Sequence, residues 1–177
     1  CRRAAGHEGG WVSVGFIMMC HTALGRAAEV ARHWAEAGCP VVMHVDRRVA
    51  KEDYGRLVDR LSDLADVSFS ERFTCRWGTW SLVAATQAAA TQMLQRHAGV
   101  RHVYLASGAC LPLRPVEELI AYLADRPSTD FIESVTTSDV VWTKGGLDRE
   151  RFSLHFPFGW RSQRRLLIPS GSGRCVR

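Results

Sequence analysis

The chain has 177 residues, which is enough for one domain with a hydrophobic core and too short for two domains of ordinary size. Its composition, 46% hydrophobic and 23% charged, excludes a disordered, collagen-like or coiled-coil chain. The 23 basic and 18 acidic residues give a net charge of +5. Except for a cluster at Arg161, Arg164 and Arg165, the basic residues are spread along the chain, and they are not interleaved with aromatic residues, so this excess is weak evidence for nucleic-acid binding.

Three further features bear on the cellular location, on the state of the cysteines and on disorder. The longest apolar run, Val14–Cys20, is far shorter than the roughly 20 residues of a membrane span, so we expect no anchor within these residues and a cytoplasmic or peripheral membrane location. The six cysteines have no spacing typical of a zinc site and are expected to be mainly buried thiols in a reducing compartment. Residues 161–177 are basic and lack apolar periodicity, which predicts a disordered or aberrant tail after a folded region at 12–160.

The first half of the folded region alternates strand and helix patterns. An apolar run predicts a first strand at Val12–Cys20, and helical spacing of small and apolar residues then extends to Gly38, with Thr22 as the expected N-cap. A second β-rich run, Val41–Val45, is followed by helical spacing over residues 54–64. The second unit therefore repeats the first.

The second half continues the alternation. Short β-rich runs predict strands at Asp66–Ser70, His102–Ala106 and Asp130–Ser134. The helices between them are predicted to begin near Ser81, as an N-cap, and at residue 116 after Pro115. These repeated units predict an α/β fold with a mainly parallel, five-stranded sheet and helices on both faces.

Ligands of such sheets bind beyond the carboxyl ends of the strands. The residues that this rule selects, before any motif is considered, are His21, Asp46, the 72–80 loop, the 107–112 segment and Glu133.

The sequence lacks the usual phosphate-binding patterns. There is no GxxxxGK[ST] motif, and Cys20-His-Thr-Ala-Leu-Gly25 follows the first strand where a dinucleotide-binding fold has GxGxxG. No Asp-x-Asp occurs, so we expect no metal clamp of the usual sugar-nucleotide kind. P-loop and dinucleotide-binding proteins are therefore disfavoured.

Asp46, at the end of the second strand, carries the clearest polar signal. A carboxylate in this place can accept hydrogen bonds from a ribose hydroxyl or a uracil N–H. It can equally cap a helix that begins near Val49, and in that case its loss costs about 1 kcal/mol. Both interpretations stay open at this stage.

Two aromatic residues and a turn are further candidates. Either Trp77 or Trp80 can form a flat wall for a base or sugar ring, or both can fix their loop on the core. Ser107 and Gly108 bring the backbone close to a ligand, or only reverse the chain.

Three polar residues are weaker candidates. Arg114 can pair with a diphosphate or remain solvated, and His21 is more typical of a satisfied core group than of a catalyst. Glu133 can contact an acceptor hydroxyl, although capping or ion pairing explains it as well.

Taken together, four segments resemble glycosyltransferase family 14, the family of core-2/I-branching enzymes and peptide O-xylosyltransferases. The first strand ending at His21 resembles its opening strand, and Met43-His-Val-Asp46-Arg-Arg48 resembles its His-Val-Asp-Lys/Arg motif. Trp77-Gly-Thr-Trp-Ser81 is similar to its Trp-Gly-x-x-Ser segment. Tyr104-Leu-Ala-Ser-Gly108 through Leu111-Pro112-Leu-Arg114 is similar to its Leu-Ser-Gly-x-Asp-Tyr-Pro-Ile-Arg segment. The part of the sequence that resembles this family covers about residues 14–135.

The resemblance implies a GT-A-like fold, of which this chain holds the N-terminal portion. It further implies inverting, metal-independent transfer of N-acetylglucosamine or xylose from a UDP-sugar to a hydroxyl acceptor such as a glycan, with no cofactor. Asp46 and Trp77 would contact the uridine, and Ser107 and Gly108 would line the donor site.

Two departures from the family pattern set the alternatives. Cys110 stands where the family usually has Asp, and the family's catalytic glutamate is expected beyond the end of this chain, which predicts an incomplete active site. A non-catalytic module that binds nucleotides or glycans is one alternative. Another is an α/β enzyme of a different class that uses Cys110 as a nucleophile near His21.

Overall fold

A computed structural model describes residues 14–132 and, as backbone, residues 154–155 and 168–169. The chain divides into two compact units, residues 1–129 and residues 130–177. Glu133 and all of the predicted 161–177 tail except Ile168–Pro169 lie outside the described residues. The boundary predicted at residue 160 stays a prediction.

The first unit contains a parallel four-stranded sheet within its described residues. The sheet order is β3-β2-β1-β4, so β1 is central and β4 lies at one edge. Parallel pairing joins each neighbouring pair. The strands are β1 (Val14–Cys20), β2 (Val41–Val45), β3 (Val67–Phe69) and β4 (His102–Ser107).

Helices cover both faces of this sheet, which confirms the predicted α/β architecture. The helices are α1 (Leu24–Glu36), α2 (Lys51–Arg60), α3 (Trp80–Arg96) and α4 (Val116–Ala124). Buried residues of α1, α2 and α4 form one hydrophobic cluster with Phe16 and Met43. Ala89 and Met93 of α3 pack against Ile17 on the opposite face. Both faces of β1 and β2 are buried, which is why these strands are continuous apolar runs.

The first core cluster contains a stacked aromatic pair. The rings of Phe16 and Trp34 lie 4.0 Å apart between centroids and are inclined by only 8°. This contact fixes α1 on β1, and both residues are buried.

The fifth strand was predicted at Asp130–Ser134, and it is absent from the described part of that segment. Asp130–Ile132 is not in a strand, and residues 133–134 lie outside the described residues. A short β-rich run predicts strand propensity, but pairing depends on partners that propensity does not specify.

Both predicted N-caps are wrong. Ala23, not Thr22, is the N-cap of α1, and it adopts a left-handed conformation with φ of 51°. α3 begins one residue before Ser81, with Thr79 as its N-cap. Neither helix has a side-chain capping hydrogen bond.

In the second unit, β5 (Leu154–His155) pairs antiparallel with β6 (Ile168–Pro169). Among the described residues, no helix has both the length and the apolar character needed to cross a membrane.

Candidate functional site

The carboxyl ends of β2, β1 and β4 form one continuous edge. Met19 of β1 is paired with His44 on one side and with Ser107 on the other. Side chains of paired residues in a parallel sheet share a face, and Met19 packs in the cluster on the α3 face. His44 and Ser107 therefore project on the α3 side. With strands about 4.8 Å apart, the ends of β2 and β4 are separated by about 10 Å.

The loop between β3 and α3 is fixed by two side chains at the end of β2. His44 Nε2 accepts a hydrogen bond from the Phe73 N–H at 3.0 Å, and Asp46 Oδ2 accepts one from the Cys75 N–H at 3.1 Å. The N–H of Arg47 donates in return to the carbonyl of Phe73 at 2.9 Å. The segment of residues 72–76 (the 72–76 segment) thus continues the pairing with the chain of β2 beyond the end of β3.

Asp46 is buried, and its carboxylate is fully engaged. The side chain is flanked by Arg48, which donates its backbone N–H and Nε to Oδ1 at 2.8 and 3.0 Å and its Nη2 to Oδ2 at 2.8 Å. With the Cys75 bond, these interactions use about all four lone pairs of the carboxylate. The hydrogen bonds from Arg48 lower the pKa of Asp46 to about 2.

The structure also tests the interpretation of Asp46 as a helix cap. α2 begins at Lys51 with Ala50 as its N-cap and no side-chain capping bond. The capping interpretation is therefore wrong. Direct contact between Asp46 and uridine stays a prediction, and such a contact requires one of the present hydrogen bonds to break.

His44 is a functional candidate that the sequence analysis did not single out. It is only 1% exposed, and burial lowers its pKa against an opposing effect of Asp46 and with a further contribution from Arg72. The imidazole is therefore neutral at neutral pH and acts as an acceptor at Nε2. The available signal was a titratable residue within an otherwise apolar strand.

Arg72 and Arg48 reinforce the same segment. Arg72 donates Nη2 to the carbonyls of Asp46 at 2.9 Å and Val49 at 2.7 Å, and its guanidinium lies 4.4 Å from the centre of the Tyr54 ring. Arg48 Nη2 donates to the Cys75 carbonyl at 2.6 Å. These bonds attach the 72–76 segment to the loop after β2 at Arg72 and at Cys75.

Trp77 comes directly after the 72–76 segment in the chain, and Trp80 begins α3. Trp77 is 75% exposed and Trp80 is 70% exposed. Between them, Gly78 has a φ of 71°, a conformation that favours glycine. The turn is closed by Ser81 Oγ, which accepts from the Arg76 N–H at 2.9 Å instead of capping α3. The loop thus presents two large aromatic surfaces at its end.

The turn after β4 is compact. Ser107 Oγ accepts a hydrogen bond from the Ala109 N–H at 3.3 Å, and the Gly108 N–H donates to Met19 at 2.8 Å. A Cβ at Gly108 would lie 2.9 Å from Cys20 Sγ. Close packing on Cys20 therefore accounts for this glycine, while its predicted contact with the donor stays a prediction.

The remaining candidates differ in their surroundings. His21 and Cys110 are exposed, and Arg114 forms an exposed ion pair with Glu118 at 3.2 Å. Glu133 lies outside the described residues. Within residues 14–132, the buried free thiols are Cys20, Cys39 and Cys75. In the described part of the chain, no group of three or more His, Cys, Asp or Glu side chains is suited to hold a metal ion.

The parallel sheet, the helices on both faces and the aromatic loop at the carboxyl edge define an α/β protein with a GT-A-like fold. The family model described as "Branch: Core-2/I-Branching enzyme" matches residues 33–157. This match covers more than half of the chain, and the protein belongs to that family. Membership indicates a glycosyltransferase, and the family suggests a sugar-nucleotide donor and a glycan acceptor. Comparison with curated proteins gives no match.

Proposed function

We propose that this glycosyltransferase binds a UDP-sugar at the carboxyl edge of β2, β1 and β4. In this proposal it transfers N-acetylglucosamine or xylose to a hydroxyl of the acceptor, with inversion and without a metal ion. The observation that carries the proposal is the fixed 72–76 segment, which leads into the exposed Trp77 at an edge where α/β sheets bind nucleotides.

Each part of the edge contributes a different chemistry to the proposed donor site. An indole such as that of Trp77 stacks on a pyrimidine ring and excludes water from one face of it. The hydroxyl and backbone of the 107–108 turn suit the hydroxyl groups of a ribose or sugar. Trp80, at the start of α3, offers a second aromatic surface for the donor sugar or the acceptor.

Asp46 serves the proposed site through its neighbours. Because its lone pairs are already used by Arg48 and Cys75, it orients these two residues more readily than it accepts a hydrogen bond from uracil. Its substitution is therefore expected to weaken donor binding by releasing the segment before Trp77.

Inverting transfer also requires a base that removes the proton of the acceptor hydroxyl. Glu133, the carboxylate predicted to contact that hydroxyl, lies outside the described residues.

The proposal is tested by calorimetric titration with UDP and with ADP. We expect the wild type to bind UDP more tightly, and Trp77→Ala to weaken UDP binding by about fivefold or more because a base–indole stack contributes about 1–3 kcal/mol. Leu94→Ala is the control, since Leu94 is exposed near the other end of α3. Equal affinities for UDP and ADP would contradict the proposal.

A further inference from the structure

We propose that His44 is a positioning residue of the donor site: it holds the 72–76 segment through Phe73, so that the loop bearing Trp77 is arranged for binding only while the imidazole is neutral. This inference rests on the proposed function and adds to it a residue that controls the site without touching the donor.

The hydrogen bond from Phe73 determines which form of His44 the loop requires. A neutral imidazole has one acceptor nitrogen, and Nε2 is used by the Phe73 N–H at 3.0 Å, so the proton resides on Nδ1. The two rings also contact each other, with centroids 6.0 Å apart. Protonation of Nε2 would place two donors against each other and a positive charge in a buried position.

Phe73 lies only four residues before Trp77, so loss of its hydrogen bond to His44 affects the loop that bears Trp77. The carbonyl of Phe73 accepts a hydrogen bond from the N–H of Arg47, so both polar groups of this residue are paired with the end of β2. Cys75, held by Asp46, follows two residues later, and the Trp77 turn comes next. Loss of the His44 bond removes the first of these attachments.

Charged groups near His44 have opposing effects on its pKa. Asp46 favours the protonated imidazole, and Arg72 disfavours it. Arg47 and Arg48 follow on the same chain segment, and Arg48 is paired with Asp46. The largest effect is burial, which lowers the pKa of His44.

The other elements around His44 add few titratable groups. In the sheet, its neighbour on β1 is Met19, and on the other side of β2 Ser70, just after β3, donates its N–H to the Met43 carbonyl. α3 carries no titratable residue except Arg96 in its last turn. Among the described residues, the exposed His21, Glu71 and Arg76 also follow the carboxyl ends of the strands.

The direction of the pH effect follows from the lowered pKa. A histidine of lowered pKa stabilises the folded arrangement fully above its ordinary pKa of about 6.5, and this contribution is lost as the pH falls through the lowered value. Donor affinity is therefore expected to be constant near neutral pH and to decrease on acidification.

The binding test uses UDP-N-acetylglucosamine, because its diester phosphates do not titrate in the way that the terminal phosphate of UDP does, near pH 6. Calorimetry in steps from about pH 7.5 downward should show constant affinity in the wild type near neutral pH and a loss of affinity as the pH falls through the lowered pKa of His44. His44→Phe should bind weakly at every pH. His44→Gln supplies an uncharged acceptor and should restore binding and abolish the pH dependence. His33→Gln, an exposed change on α1, should retain the wild-type profile.

A second readout needs no ligand. Hydrogen-exchange protection of the Phe73 amide should fall on acidification in the wild type and not in His44→Gln. The Ser70 amide is the internal control, because its acceptor is the Met43 carbonyl, which does not titrate.

The outcomes separate the two proposals. Absence of UDP-sugar binding at every pH would contradict the proposed function. Binding whose pH dependence is absent, or is the same in His44→Gln, would overturn the positioning role of His44, as would unchanged protection of Phe73.

Discussion

The carboxylate of Asp46 lies 3.1 Å from the backbone nitrogen of Cys75 and accepts its hydrogen bond, although the two residues are 29 positions apart in the chain. This contact joins the end of β2 to the loop that precedes α3. Asp46 is buried and Trp77, two residues after Cys75, is exposed, so a buried residue just after β2 holds the chain close to a solvent-facing aromatic side chain.

Replacement of Asp46 should reduce stability more than loss of a helix cap would. Asp46→Ala leaves the N–H groups of Cys75 and Arg48 without their acceptor, which costs about 2–3 kcal/mol. Asp46→Asn keeps one acceptor oxygen and should cost less. Urea unfolding measures both variants, with Asp53→Asn as a control of an exposed carboxylate on α2. A wild-type midpoint for Asp46→Ala would contradict this account of the loop.

The lowered pKa of Asp46 predicts how the stability of the fold changes in acid. Its pKa is lowered from 3.8 to about 2, so its contribution is complete above about pH 4 and is lost as the pH falls through 2. The difference in unfolding free energy between wild type and Asp46→Asn should therefore shrink by about 2 kcal/mol between pH 5 and pH 2. A difference that is independent of pH would show that the carboxylate is not held by Arg48.

Gly108→Ala should destabilise the fold because the new Cβ would lie 2.9 Å from Cys20 Sγ and 3.3 Å from Cys20 Cα. Such overpacking costs about 1–3 kcal/mol. Cys20→Ala should recover part of this loss in the double variant, since it removes the nearer atom. Gly55→Ala is the matched control: nothing lies within 4 Å of its new Cβ, and it lies in α2, so it should stabilise. Thermal unfolding distinguishes the two glycines, and equal shifts would refute the packing argument.

Ala23→Gly should increase stability. Ala23 has a φ of 51°, a conformation in which a Cβ costs about 1–2 kcal/mol and glycine has no such penalty. The gain is expected to be about 1 kcal/mol after the greater freedom of glycine in the unfolded chain is subtracted. Ala50→Gly, at the ordinary φ of −54° before α2, should destabilise instead. A loss of stability in Ala23→Gly would contradict the left-handed conformation.

Binding of UDP-N-acetylglucosamine should not change when divalent ions are removed with a chelator. The donor site proposed here relies on an indole, backbone groups and hydroxyl groups, none of which needs a metal ion to bind a base or a ribose. Calorimetry with and without added Mg²⁺ or Mn²⁺ tests this expectation. Binding that appears only with one of these ions would contradict metal independence.

The sequence predicted the parts of the fold that depend on local pattern. The apolar runs at Val14–Cys20 and Val41–Val45 are buried strands, and the helical spacing after each run is a helix. The predictions of these strands and helices succeed because burial imposes a characteristic hydrophobic period on each element. The rule that ligands bind at the carboxyl edge selected Asp46 and the 72–80 loop, and their role in donor binding stays a prediction.

The support of the loop was not predictable from local pattern. His44 and Arg72 bind partners 29 and 23 residues away, and the 72–76 segment has no periodicity that specifies a partner. The N-cap of α1 was missed for a related reason. Ala23 has no intrinsic preference for the left-handed region, so only the tertiary context places it there.

The most direct test of the donor site is a titration of the ¹⁵N-labelled protein with UDP-N-acetylglucosamine, followed by NMR. We expect the NMR signals of the Trp77 indole N–H and of the Cys75 and Gly108 backbone amides to shift together along a single saturation curve. The amide signal of Val100, which lies just before the amino end of β4, should not shift. Shifts confined to residues away from the carboxyl edge, or no shift at a saturating donor concentration, would contradict the assignment of this edge as the donor site.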